Sequence, residues 1–434
     1  MKKRLTQAIA LICVLAAVLA FASCSQGKKL MTLGRQAVTV NMYEFFLSRQ
    51  KGLLCTPYYY GSEALSGDFW DTTITPDGMT YNDYWTAHII DSLKLYLIAL
   101  YLFEEVYDLT LPKSAVEEVD TKLYELVDYD ADGSRTAFNA ILAQYGVNYK
   151  MLRSIYLLEA KVNYLQVYLY GTDLSKVSDA VKEEYYQNNY VRFKQVFFPN
   201  YYYVYETDKD GNVIYYDPDS GTILYDSSTG IRKFDESGKA LTDEDGKVIY
   251  YNEDGSIAYD KKNGVPAVTF DENGRYKTAQ YGSNELKQIK KNAEEAAASV
   301  EPGDIDVFER LIEKYKTDAI GLEEIDYPNG YYFRTNTPYN YDYINAIVSK
   351  LSTMEVGEVG LVESDFGWHV VMKYELDTGA YDNEDNAEWF EDFGSSVVDW
   401  LFRQKCADYL GDIVFNEELT VGIDMKSVMP NYNY

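Results

Sequence analysis

Histidine is almost missing from this chain, with 2 among 434 residues, and positive charge is scarce, with 40 Lys and Arg against 69 Asp and Glu. His88 and His369 alone cannot build a histidine-rich metal cluster. A formal net charge of −29 repels phosphate backbones, so nucleic acid is not an expected partner. Cysteine is also sparse, 4 in all, and no spacing among them fits a zinc site. No nucleophilic triad, phosphate-cradling loop or complete metal site stands out, and no cofactor is expected. What the chain does have is tyrosine, 44 residues, within a composition that is 47% hydrophobic. Abundant rings exclude a disordered chain, and the length suffices for two or three domains.

The first residues read as an export signal. Lys2, Lys3 and Arg4 precede an apolar stretch from Ile9 to Phe21, too short for a spanning helix of the mature protein. Phe21-Ala22-Ser23-Cys24 resembles a bacterial lipobox, with Phe21 where an aliphatic residue is usual. The expectation is a signal peptide over 1–23, lipid on Cys24 and a membrane anchor on the extracytoplasmic face; ordinary cleavage with Cys24 incidental is the alternative. Cys55 and Cys406 then remain, either paired with each other or as two separate buried thiols.

From Val38 to about Phe198 the pattern is mainly helical. Tyr84 to Tyr107 is apolar around most of its circumference, but Asp91, Lys94, Glu104 and Glu105 make it a core helix rather than a membrane span. Further helices are expected over Ser114–Val127, Ser134–Tyr145, Tyr149–Tyr170 and Ser178–Asn188, with Gly146 and Gly171 as terminators. His88, inside the core helix, reads as a packed, hydrogen-bonded histidine. Asp128-Tyr129-Asp130-Ala131-Asp132-Gly133 matches the first half of a calcium loop, but the twelfth position is Asn139, so an acidic interhelical turn is the better reading.

Residues 200–281 are different material. Gly recurs at 211, 221, 230, 238, 246, 255, 264 and 274, with Asp, Ser, Thr or Asn before it and alternating aromatic strands after most of them. This predicts short antiparallel strands on tight turns, arranged as a β-meander. The pattern loosely resembles the aromatic hairpin repeats of wall- or glycan-binding surface proteins. Its tyrosines either stack on sugar rings, which makes cell-wall glycan a candidate partner, or fill one side of a thin sheet. Asp208-Lys209-Asp210-Gly211 and Asp243-Glu244-Asp245-Gly246 read as simple hairpin turns.

Beyond Asn284 helices are expected over Glu285–Val300 and Ile305–Tyr315. Strands follow near 330–333, 360–362 and 367–373, and a long helix from about Asn386 to Phe415 closes the chain.

Two blocks, Tyr185 to Phe198 and Asp306 to Tyr315 continuing at Val356 to Lys373, resemble a parvulin-type (PpiC-like) peptidyl-prolyl isomerase domain. The layout is similar to extracytoplasmic foldases of the PrsA type and to SurA-like chaperones. The resemblance implies an α+β chain: a helical SurA/PrsA-like chaperone domain over 24–190 completed by helix 386–415, a parvulin-like α/β domain over 191–199 plus 282–376, and an antiparallel β-repeat insertion over 200–281. It also implies a lipid-anchored foldase for unfolded or nascent exported polypeptides, acting by prolyl isomerisation or as a holding chaperone with an inactive isomerase domain. His369 is the polar residue retained from the family's site. Gln195 stands where a histidine is usual, the acidic or thiol position falls on Pro328, and the pocket Met and Phe fall near Tyr339 and Tyr341 or Tyr343. Gln195 is expected to partner His369, with Tyr332, Phe333 and Tyr343 as the wall that holds a proline ring.

Overall fold

The computed structural model describes residues 27–315, 329–339 and 341–434. The signal segment, Cys24 and Pro328 lie outside them. The protein is of mixed α+β class and divides into two compact units, one ending at Asp179 and resuming over Asp392–Tyr434, the other Ala180–Glu391.

The first unit opens with a hairpin that the helical pattern did not announce, β1 (Lys29–Leu33) and β2 (Gln36–Thr39); Val414–Phe415 adds to the other edge of β1. Helices α1 (Val40–Leu54), α2 (Tyr81–Tyr101), α3 (Lys113–Ala131), α4 (Arg135–Leu142) and α5 (Tyr149–Tyr170) follow. α2 starts at a capping box: the Thr80 hydroxyl accepts the Asp83 N–H, and the Asp83 carboxylate accepts the Thr80 N–H, each at 3.1 Å. Leu93, Leu97 and Ile98 of α2 are fully buried with Leu123 of α3, Phe138 of α4 and Leu152 and Ile155 of α5. Each such side chain stabilises the fold by roughly 2 kcal/mol. α2 runs into a π-helical turn over Leu102–Val106, which carries the two acids that interrupt the apolar run. Glu105 accepts the Arg35 N–H and the Gln36 amide, both at 2.9 Å, and Glu104 pairs with Lys161 at 2.5 Å. Those charges tie the β1–β2 turn and α5 to the core helix.

Two expectations are corrected around this unit, those for His88 and for helix 386–415, and two further readings find their outcome. His88 is exposed, because it lies with Tyr84 and Ala87 on the outer side of α2 while Tyr81 and Trp85 turn toward the core; its ring meets Trp85 edge-on at 5.4 Å rather than packing in the core. The expected helix 386–415 breaks into a 3-10 segment, Glu384–Trp389, and an α-helix, Phe393–Ala407, which brings Phe402 and Cys406 to the core. Asp132 takes a left-handed conformation (φ 46°) at the end of α3, and the Asp130 carboxylate accepts the Tyr434 hydroxyl, so this loop is an interhelical turn in which Asp130 holds a tyrosine. Cys55 and Cys406 are both buried and free. Cys55 lies beside Lys51 and Tyr432, whereas burial pushes the Cys406 thiol up to about 12.

In the second unit α6 (Asp179–Asn189) leads into β3 (Tyr190–Pro199). The chain then makes an excursion through β4 (Tyr201–Tyr203), β5 (Tyr215–Tyr216), β6 (Ile231–Arg232), β7 (Tyr250–Tyr251), β8 (Val265–Pro266) and β9 (Thr278–Gln280). β4 pairs with β9, β5 with β8 and β6 with β7, so the excursion is a nested arm rather than a plain meander. Local hairpins add to it: Thr207↔Val213 sits between β4 and β5, and Thr242↔Val248 lies inside the innermost pair, β6–β7. Their turns are nucleated by aspartates: Asp208 accepts the N–H groups of Asp210 and Asn212, and Asp235 those of Ser237 and Lys239. Each Asp-led turn that ends in Gly, recurring every eight to ten residues, thus sets its own hairpin, with Ala258, Tyr259 and Ala267 buried between them.

The chain returns through α7 (Ser283–Ala298), α8 (Ile305–Tyr315), β10 (Tyr331–Arg334), α9 (Asp342–Ser352), β11 (Val359–Ser364) and β12 (Gly367–Tyr374). A four-stranded antiparallel sheet results, in the order β10-β3-β12-β11. Strand alternation sends Val196, Phe198, Trp368, Val370 and Met372 to one face, against α7 and α8. Val191, Phe193, Val362 and Val371 go to the other face, against Ile347 and Leu351 of α9.

Candidate functional site

The α9 face of the sheet carries the polar residues that the sequence singled out. His369 of β12 pairs with Phe197 across the ladder, and Val371 pairs with Gln195, so the two polar side chains share a face one pair apart. His369 is 3% exposed. Its Nδ1 lies 3.0 Å from Gln195 Oε1 and its Nε2 lies 2.9 Å from Ser364 Oγ. Ser364 Oγ also accepts the Phe366 N–H at 3.2 Å. An amide oxygen can only accept, so Nδ1–H donates to Gln195 Oε1; the Nε2 of the neutral ring is then an acceptor, and the Ser364 hydroxyl donates to it. The Gln195 amide in turn hydrogen-bonds the Tyr331 hydroxyl. A directed line of neutral donors thus runs from the β11–β12 turn through His369 to β10.

Rings cover this line. Phe197 lies nearly parallel to the imidazole at 4.6 Å and Tyr343 of α9 at 5.8 Å. Phe366 meets Tyr343 edge-on at 5.6 Å, and Tyr341 and Phe366 are exposed at the rim. Burial pulls the His369 pKa down to about 4 by disfavouring the imidazolium. Burial likewise raises the phenols of Tyr331 and Tyr343. The charged residues of β3 point the other way: Lys194 pairs with Glu309 at 2.8 Å and Arg192 with Asp377 at 2.5 Å, on the opposite face. Among the described residues the line through His369 is therefore neutral at pH 7 and covered by rings.

Of the expected site residues, His369, Gln195, Phe333 and Tyr343 lie on this face. Phe333 sits further along β10, packed on Phe193, Tyr339 and Trp389. Tyr332 does not join them. It is 1% exposed on the opposite face, against Phe390, with its hydroxyl on Asp377 at 3.1 Å and its pKa pushed up to about 12 by burial. Neighbouring strand residues cannot share a face, so Tyr332 and Phe333 were never both available to one wall. The residue that takes the place is Tyr331, and Phe197 and Ser364 complete the set; period-two counting from Gln195 finds Phe197. Tyr339 caps the end of β10, its hydroxyl accepting the Arg334 N–H at 2.6 Å. Helix α9, which delivers Tyr343, carries Ile344, Ile347, Val348 and Leu351 at helical spacing.

No family model matches the chain, and no curated protein matches it. Among solved structures it is similar to the peptidylprolyl isomerase PrsA from Bacillus anthracis, at 12% identity over 75% of this chain and 100% of that one, with a TM-score of 0.25. PrsA from Bacillus subtilis matches at 15% identity over 78% and 90%, with a TM-score of 0.17. The foldase PrsA from Lactococcus lactis matches at 11% over 92% and 98%, with a TM-score of 0.18.

Proposed function

We propose that this protein is a foldase for exported polypeptides, anchored by lipid on Cys24 at the extracytoplasmic face of a bacterial membrane, and that its sheet unit isomerises X–Pro bonds. The observation that carries the reading is the uncharged line Tyr331–Gln195–His369–Ser364 beneath Phe197, Tyr343 and Phe366.

The chemistry follows from amide resonance. A planar X–Pro amide is more dipolar than its twisted form, and resonance holds the barrier at about 18–20 kcal/mol. A surface of rings that removes water from the amide favours the twisted state and needs neither nucleophile nor acid. A neutral His369 fixed by Ser364 and Gln195 orients the polar floor without adding a charge that would hold the planar form. Uncatalysed isomerisation takes tens of seconds or longer, which sets the need for help when a chain leaves the export channel unfolded.

Exchange NMR on an Ala-Pro peptide tests this. Line broadening of the cis and trans signals by the wild type, reduced in His369→Ala, is the expected result; a folded wild type with no effect overturns it. A second reading is a holding chaperone with an inactive sheet unit. What favours it is an open cleft of about 570 Å³ between α1 and α2, lined by Phe46, Leu53, Ile89 and Tyr96. Suppression of aggregation of an unfolded protein tests that reading.

A further inference from the structure

The segment Ile423–Tyr434 has almost no regular structure, yet it is anchored along α1 at every few residues. The anchors read its main chain. The Tyr43 hydroxyl donates to the Ile423 carbonyl at 2.8 Å, Lys51 Nζ to the Val428 carbonyl at 2.9 Å, and the Asn431 N–H donates to the Ser48 carbonyl at 2.9 Å. At Gly52 the helix surface is bare, and a Cβ there would lie 1.9 Å from the Asn431 carbonyl oxygen. Side chains anchor it too: Lys426 pairs with Asp71 at 2.7 Å, Asp424 accepts the Asn82 amide at 3.2 Å, Met425 is fully buried, and the Tyr434 ring packs edge-on to Phe138 at 5.6 Å and Tyr145 at 5.9 Å, with its hydroxyl on Asp130 at 2.6 Å. Beside Asn431–Tyr434 the α1–α2 cleft stays open.

We propose that this face of α1 is a groove for extended polypeptide, that 423–434 is its intramolecular occupant, and that an extended segment of an unfolded protein bearing an aromatic residue is the partner that exchanges with it. Main-chain carbonyls and N–H groups are common to every sequence, so these contacts accept any client, and the socket that holds Tyr434 adds the preference for an aromatic residue. Lys51 is 7% exposed, with Trp70 below it, and the carbonyl oxygens it holds belong to the segment. An ammonium buried there needs such oxygens, so the groove favours being filled. A tethered occupant raises the threshold for a free one, because the apparent affinity falls with the fraction of open groove. This deepens the holding-chaperone reading and rests on it.

The test uses a fluorescein-labelled synthetic peptide with the sequence of residues 429–434, the part that the shortened chain lacks. A chain lacking 429–434, which keeps the buried Met425, binds the peptide at least about tenfold more tightly than the full chain. Gly52→Ala in the shortened chain, where the new methyl meets nothing of its own, abolishes that binding. A shortened chain with native helical circular dichroism that does not bind, or one that binds equally with Gly52→Ala, overturns the proposal. Should the shortened chain fail to fold, hydrogen exchange on the full chain decides: a saturating reduced, carboxymethylated client accelerates exchange at the Asn431 amide if the segment is displaced, and an unchanged rate refutes it. Aggregation suppression that survives while the groove test fails removes only the groove; loss of both removes the holding reading too.

Discussion

Replacing His369 by Gln turns the burial of its imidazole into a measurement. The native pKa is pulled from 6.5 to about 4 by desolvation, with Nδ1–H and Nε2 already engaged by Gln195 and Ser364. The unfolded chain therefore binds a proton at this site below pH 6.5 that the native unit refuses until about pH 4. Stability from this group is fully present above pH 6.5 and is lost as pH falls toward 4. The size is the shift times 1.36 kcal/mol per unit, or about 3 kcal/mol for a residue this buried. His369→Gln keeps a neutral hydrogen-bonding side chain but carries no such titration. Hydrogen exchange of the Val370 and Val371 amides, which reports opening of this unit alone, gives the free energy at pH 7, 6, 5 and 4.5 for both proteins. The difference between them should shrink or change sign by about 2.4 kcal/mol between pH 7 and 4.5, while contributions from other groups cancel. Parallel curves would refute the neutral, buried histidine. The same logic predicts a catalytic rate that is flat from pH 8 to about 5.

Three further outcomes are expected. Tyr331→Phe removes the hydroxyl bonded to Gln195 and should slow isomerisation by about tenfold, whereas Tyr332→Phe should leave the rate unchanged and cost about 1 kcal/mol of stability through Asp377; equal effects in the NMR exchange assay would contradict the assignment of faces. Joining Asn200 to Gly282 should preserve the four-stranded sheet by circular dichroism, because β4 and β9 bring the ends of the arm together, and should abolish retention on isolated cell wall if the arm holds glycan; unchanged retention assigns the tyrosines to structure alone. Cys24→Ala should move the protein from the membrane fraction to the medium; persistence in the membrane would point to another anchor.

Much of this fold was legible because its signals are local. Period-two alternation and Asp-Gly turns announced the arm, and helical spacing with Gly146 and Gly171 announced α3 to α5. The nesting of the arm was not legible, since pairing Tyr215 with Pro266 depends on partners far along the chain. The break between Trp389 and Phe393 was hidden for a related reason. Trp389 and Phe390 sit at helical spacing with the residues after them, but they pack on Tyr331, Phe333 and Tyr332 of the sheet unit. At the site, the His369–Gln195 pairing was readable from the chemistry of an amide that both donates and accepts. Ser364 was not, because it reaches Nε2 only through the tight β11–β12 turn.

The nested arm also bears on how the sheet unit assembles. β3 must find α7, which packs on the same face of the sheet as Val196 and Phe198, across an excursion of about 80 residues between Pro199 and Ser283. Closing a loop that long rather than one of about 4 residues costs about 2.7 kcal/mol, taking (3/2)RT ln of the ratio. An arm whose strands pair among themselves, from β6–β7 inward to β4–β9, zips without help from the sheet. Once zipped it leaves the ends of β3 and α7 adjacent, and the long loop has become a short one. Folding of the arm first would then set the pace of the sheet, and a proline substitution that blocks β4–β9 pairing should slow refolding more than it lowers final stability.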